Sequence, residues 1–159
     1  IGNSRPPHGR GTVGFVQVHP NSRNVIPGTV KFSVDLRNID DENLDAMDAE
    51  IKAFCEKTAK ESGLSVELTQ VSYFKPCQFE VGCVEAVASA AKTFGYSHMD
   101  AVSGAGHDAV YVARLAPAGM VFIPCKDGIS HNEIEDAKPE HITAGCNVLL
   151  HAMLDRAGR

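Results

Sequence analysis

The chain has 159 residues, of which 43% are hydrophobic and 22% charged, and its net charge is -5. That length allows one ordinary domain or two small ones, and the apolar content excludes a disordered polymer. The acidic balance excludes a sequence-wide basic footprint for nucleic acid, and no apolar run approaches the roughly 20 residues of a membrane helix.

Ile1–Arg10 is polar and has no apolar h-region of the signal-peptide kind. It reads as a linker or an expression scar, so we expect a piece of a longer protein. Thr12–Val18 is β-rich and stops at His19-Pro20, and Pro27-Gly28 adds a second turn signal. Thr29–Asn38 alternates, with Val30, Phe32, Val34 and Leu36 on one face and Lys31, Ser33, Asp35 and Arg37 on the other. The pattern predicts a half-buried antiparallel strand. Asp40, Asp41 and Glu42 suit a helix start. Leu44, Met47, Ile51, Phe54, Cys55 and Thr58 keep helical spacing, and Gly63 supplies a C-cap. Leu64–Phe74 reads as a third strand. Residues 11–76 thus form a strand-strand-helix-strand layer, an α+β arrangement that is small for a self-sufficient core.

After Pro76 the composition becomes Ala- and Val-rich. Glu80–Phe94 predicts a helix with Val81, Val84, Val87, Ala88, Ala91 and Phe94 on its buried stripe. A helix capped by Asp108 is expected to run to about Leu115. Gly119–Pro124 is an apolar run typical of a strand buried on both faces, and Cys125–Asp136 is a loop. Pro139 opens a last helix, with Ile142, Cys146, Leu149, Leu150 and Met153 on its apolar side. Residues 77–159 therefore read as part of a layered α/β domain, with a boundary near 75–80. The five cysteines are odd in number and form no C-x-x-C pair, so neither a disulfide framework nor a zinc ribbon fits. A reducing, cytoplasmic compartment is expected.

Three places invite chemistry. In Ser103-Gly104-Ala105-Gly106-His107-Asp108, small residues let the backbone approach a ligand at a helix N-terminus, with His107 at its mouth. The alternative is a helix cap beside a surface His, and the glycine spacing is not a dinucleotide fingerprint. His131 lies in Gly128–Asp136, after the expected buried strand, where catalytic groups of α/β sheets gather. It suits a metal, with nearby carboxylates orienting it; the alternative is a solvated loop. Arg37 closes its strand and, with Asn24, offers a fork and an amide for a carboxylate; the alternative is a surface strand-end Arg. His19, His141 and His151 read as structural or solvent-facing.

Taken together, Val18–Gly28, Val34–Arg37, Ser103–Ala109 and Phe122–Glu133 resemble the metal-dependent amidases of the aminoacylase/carboxypeptidase superfamily. The nearest branch is the N-carbamoyl-L-amino-acid hydrolases, beside β-alanine synthases (β-ureidopropionases) and allantoate amidohydrolases. The resemblance implies a two-metal catalytic α/β domain and an inserted four-stranded lid that pairs two subunits. Residues 11–76 then correspond to the second half of the lid, and residues 77–159 to the C-terminal part of the catalytic domain. It implies His131 as a metal ligand, His107 as a catalytic and substrate-binding residue, and Asn24, Arg37, Gly104 and Gly106 as substrate-binding. It implies a divalent metal (Zn, or Mn, Co or Ni), a ureido-acid substrate and a homodimer. The implied reaction is attack of a metal-bridging water on the carbamoyl carbon, giving an amino acid, ammonia and carbon dioxide. The family's upstream His, bridging Asp, Glu pair and further His have no counterpart here. This chain is therefore expected to be inactive alone and to hold no tight metal. A rival reading is a non-catalytic dimerisation or binding module that uses the lid sheet edge.

Overall fold

The computed structural model describes residues 1–158. The chain forms two compact units, Ile1–Pro76 and a second that starts at Cys77. Its class is α/β, with one two-stranded antiparallel sheet and four α-helices among the described residues.

In the first unit, β1 (Arg10–His19) pairs with β2 (Thr29–Arg37), from Arg10 opposite Arg37 to His19 opposite Thr29. The register slips between Val13 and Phe15, leaving Gly14 as the extra residue of a bulge. Residues directly opposite share a face. The slip therefore brings Val16 and Val18, opposite Phe32 and Val30, onto the same side as Val13, opposite Val34. Without it Val16 and Val18 would fall on the polar face, because strand side chains alternate. The expected apolar face of β2 exists, but it is not covered: Val30, Phe32 and Val34 are all exposed, Phe32 by 48%. Within residues 1–10, read above as a linker, Gly2–Ser4 forms a 3-10 turn, Arg5 ion-pairs Glu50 at 2.8 Å and Arg10 opens β1.

Helix α1 (Asp41–Ser62) starts where Asp40 Oδ1 accepts from Asn43 N–H at 2.8 Å and ends at Gly63 in the left-handed region, φ 67°. Glycine is favoured there because it carries no Cβ to clash. Met47 is fully buried, and Leu44, Ile51 and Cys55 are half-buried on the same stripe. Phe54 and Thr58, expected on that stripe, are exposed.

The third strand expected at Leu64–Phe74 does not form. Alternating side chains encode a period but not a partner, and among the described residues β1 and β2 pair only with each other. The segment is fastened at its far end. Tyr73 Oη donates to Asp41, and Lys75 Nζ lies 3.0 Å from the same carboxylate.

The second unit is built on α2 (Val81–Thr93) and α4 (Pro139–Ala157). Ala86, Ala90 and Ala91 of α2 pack with Val148 and Ala152 of α4. Ala91 is buried and Val87 packs against this cluster as expected, but the other large members of the expected stripes do not. Both helices turn their small residues to each other and leave Val81, Val84, Leu149, Leu150 and Met153 exposed. Small side chains let two helix backbones approach closely, whereas the larger apolar faces need a further layer. Gly145 of α4 belongs to the same device, because a Cβ there would stand 2.6 Å from Ile123 Cγ2.

The buried strand expected at Gly119–Pro124 is absent, and Phe122 is 53% exposed. A strand covered on both faces needs neighbouring strands, and none is present among the described residues of this unit. The helix expected from Asp108 to about Leu115 shortens to α3 (Ala109–Val112). Beyond it the turns tighten, with Arg114 N–H bonding Tyr111 O at 3.3 Å and Leu115 N–H bonding Val112 O at 2.9 Å. No helix among the described residues is long and apolar enough to cross a membrane.

Candidate functional site

In the first unit, Asn24 lies in the connection between β1 and β2, and its Oδ1 accepts from Ser22 Oγ at 2.9 Å. Arg37 is the last residue of β2, opposite Arg10. At about 3.3 Å per residue, β2 alone is about 26 Å long. The hairpin thus puts Asn24 and Arg37 at opposite ends of the strand instead of side by side. Arg37 instead engages Asp35. Its Nε donates to Oδ1 and its Nη2 to Oδ2, each at 2.9 Å. Those hydrogen bonds hold the Asp35 carboxyl below the usual carboxylate range and push the guanidinium pKa further up.

In the second unit, His107 is half-buried just before α3. Its Nε2 lies 2.6 Å from Ser103 Oγ, which also accepts from Ala105 N–H at 3.2 Å. Phe122 meets the imidazole edge-on, with centroids 5.5 Å apart. Sequence reasoning missed Ser103 and Phe122 as its partners, although Ser four residues before His in a glycine-rich turn was a signal within reach. Asp108, expected to cap the helix, has αR backbone angles and makes no side-chain cap. A Cβ at Gly104 or Gly106 would meet nothing within 4 Å, so the space beside this backbone is open.

His131 occupies the Cys125–Asp136 loop, which Lys126 N–H closes onto Asp136 O at 2.7 Å. It is in the left-handed region, φ 56°. For a residue with a Cβ that costs roughly 1–2 kcal/mol. Glu135 supports the turn by accepting His131 N–H at 2.8 Å, so the carboxylate expected to orient the imidazole holds its backbone instead. Among the described residues no hydrogen bond or ring contact joins His107 to His131, and no three His, Cys, Asp or Glu residues form a group that could hold a metal ion. The residues present therefore do not fit a two-metal centre by themselves.

At the ends of α2 and α4, Glu80 caps α2 by accepting Cys83 N–H at 2.7 Å, and backbone amides of Gly82 and Cys83 hold its carboxyl below the usual range. Burial, and after it the hydrogen bond with Glu80, pushes the Cys83 thiol up, which disfavours the thiolate.

The chain is 47% identical over 147 residues to an N-carbamoyl-L-amino-acid amidohydrolase of Rhizobium meliloti, covering 92% of this chain and 35% of that protein. It is 31% identical over 138 residues to an allantoate amidohydrolase of Bacillus subtilis, covering 87% and 34%. A crystal structure of an amidase of the hydantoinase/carbamoylase family from Burkholderia multivorans superposes with a TM-score of 0.94 at 57% identity. That match covers 99% of this chain and 38% of the other. The chain thus spans about a third of the length of these relatives. The profile of peptidase family M20/M25/M40 matches residues 3–155, which takes in Asn24, Arg37, His107 and His131 together, and the chain belongs to that family.

Proposed function

We propose that this chain is the C-terminal portion of an amidohydrolase that cleaves the carbamoyl (ureido) C–N bond of N-carbamoyl amino acids or related ureido acids. The observation that carries the reading is the 47% identity to an N-carbamoyl-L-amino-acid amidohydrolase along 92% of the chain. The first unit acts as part of a lid that pairs with a second copy, and the second unit belongs to the catalytic domain.

Each residue then has a task that its chemistry suits. A guanidinium fork reads a carboxylate through two parallel hydrogen bonds, the geometry Arg37 already makes with Asp35. Asn24, at the other end of the hairpin, does not share that carboxylate with Arg37 within one copy of this chain. His107 supplies a hydrogen-bond donor to the oxyanion that forms as the ureido carbon becomes tetrahedral. Gly104 and Gly106 keep the wall beside it low. His131 would contribute one ligand to a divalent metal whose other ligands lie outside this chain, and such a metal supplies Lewis acidity and a nucleophilic water.

The test is ammonia release by the intact, metal-supplied protein from N-carbamoyl amino acids and from allantoate, against the same protein with His107→Ala. Turnover of at least one ureido acid that His107→Ala lowers at least a hundredfold supports the reading, since one oxyanion donor is worth about 10²–10³ in kcat. No ammonia from any ureido acid would overturn it. It would favour the non-catalytic dimerisation or binding module.

A further inference from the structure

The contact between Ser103 and His107 is more than a local tie. A serine hydroxyl has one proton to give and two lone pairs, and Ala105 N–H already takes one of the lone pairs at 3.2 Å. The distance from Oγ to His107 Nε2 is 2.6 Å. Hydrogen bonds donated by N–H to oxygen cluster at about 2.7–3.2 Å, and the Ser103–His107 contact falls below that range. The separation therefore matches a hydroxyl donating to an unprotonated ring nitrogen.

We propose that Ser103 is a positioning residue that fixes the tautomer of His107: its hydroxyl donates to Nε2, so the neutral imidazole carries its proton on Nδ1. Phe122, edge-on at 5.5 Å, restrains the ring in that pose. The consequence is chemical. With Nε2 engaged as an acceptor, Nδ1–H is the donor that His107 offers a ligand, and the ring arrives already oriented. A donor fixed before the reaction stabilises developing charge without reorganising. The catalytic consequence rests on the reading of His107 given above; the tautomer does not.

The experiment is ¹⁵N NMR of the intact protein labelled at histidine, with the His107 signals identified by their loss in His107→Gln. The expected result is a protonated Nδ1 and an unprotonated Nε2 in the wild type. Ser103→Ala should shift the balance toward Nε2–H, and Ser103→Thr, which keeps the hydroxyl, should restore it. In the same proteins, Ser103→Ala should lower kcat about tenfold with KM nearly unchanged, the effect of losing one orienting hydrogen bond. A wild type with its proton on Nε2, or a Ser103→Ala protein with an unchanged tautomer, would overturn the proposal. Full activity in His107→Gln would sink the catalytic reading of His107 alone, and the NMR result would still judge Ser103.

Discussion

Asp35 and Arg37 stand two residues apart on β2 and are joined as a fork to a carboxylate, with both N···O distances 2.9 Å. Residues two apart on a strand share a face, which permits the contact without fixing its geometry. An ammonium in place of the guanidinium keeps the charge and loses the two-point geometry. In the intact protein, Arg37→Lys should lower kcat/KM for ureido acids by roughly 10- to 100-fold, since a charge-assisted hydrogen bond is worth about 1.5–3 kcal/mol. The matching ureido amides, lacking the negative charge, should lose much less. Equal losses on acid and amide would make Arg37 a structural strand-end residue.

The same pair has a small pH signature. The folded carboxyl of Asp35 titrates below its unfolded value. Its stabilisation is therefore complete above the unfolded pKa of about 3.9 and fades as pH falls through the lower, folded one. Both side chains are half exposed, so screening leaves the ~0–1 kcal/mol of a surface pair. Denaturant titrations of wild type and Asp35→Asn should differ by no more than that at pH 6 and converge as pH falls below the folded pKa of Asp35.

Tyr73 offers a sharper readout. Its hydrogen bond to Asp41 pushes the phenol up to about 12, while Tyr73 and then Lys75 draw the Asp41 carboxyl down. A raised phenol pKa stabilises the fold below the unfolded value of about 10, and the gain is lost as pH rises through the folded one. The clasp between residues 73–75 and the start of α1 should hold between about pH 4 and pH 10. Ultraviolet titration of the three tyrosines should show a late step that vanishes in Asp41→Asn. A late step that persists there would assign it elsewhere.

Gly145 is fixed by packing. An added Cβ would gain about 1 kcal/mol of helix propensity but would stand 2.6 Å from Ile123 Cγ2. Overpacking of that kind costs about 1–3 kcal/mol. Gly145→Ala should destabilise the protein in chemical denaturation, and Ile123→Ala in the same background should cost less than it does in the wild type. Additive costs would show that the two residues do not touch.

The uncovered apolar row of Val30, Phe32 and Val34 predicts self-association. Light scattering of this chain should report a dimer or a larger assembly, and Phe32→Lys should reduce it. A monomer at high concentration would count against pairing through the first unit.

Metal content gives an independent check. With His131 as the only ligand assigned in this chain, elemental analysis should find no stoichiometric, tightly held divalent ion. One ion or more per chain, abolished by His131→Ala, would overturn the reading that this chain lacks most of the metal site.

The sequence by itself determined what depends on neighbours along the chain. Asp40 and Gly63 bracket α1 as cap residues should, Pro139 opens α4, and the alternation at 29–37 fixes which residues of β2 share a face. The motifs around Asn24, Arg37, His107 and His131 were enough to identify the family. What needs a partner distant in sequence was decided only by the tertiary structure. The alternation of Leu64–Phe74 names no neighbour, and the segment pairs with none. The Gly14 bulge, which returns Val16 and Val18 to the apolar face, appears only once β1 meets β2. The large apolar stripes of α2 and α4 dominate any hydrophobicity count, yet what the two helices bury is three alanines of α2 against Val148 and Ala152 of α4, because backbones approach most closely where side chains are small. At the site, the residue types were legible, but their contacts were not. Hydrogen bonds depend on angles and distances that spacing leaves open, which is why Asp35 on Arg37, Ser103 on His107 and Glu135 on the backbone of His131 emerged only in three dimensions.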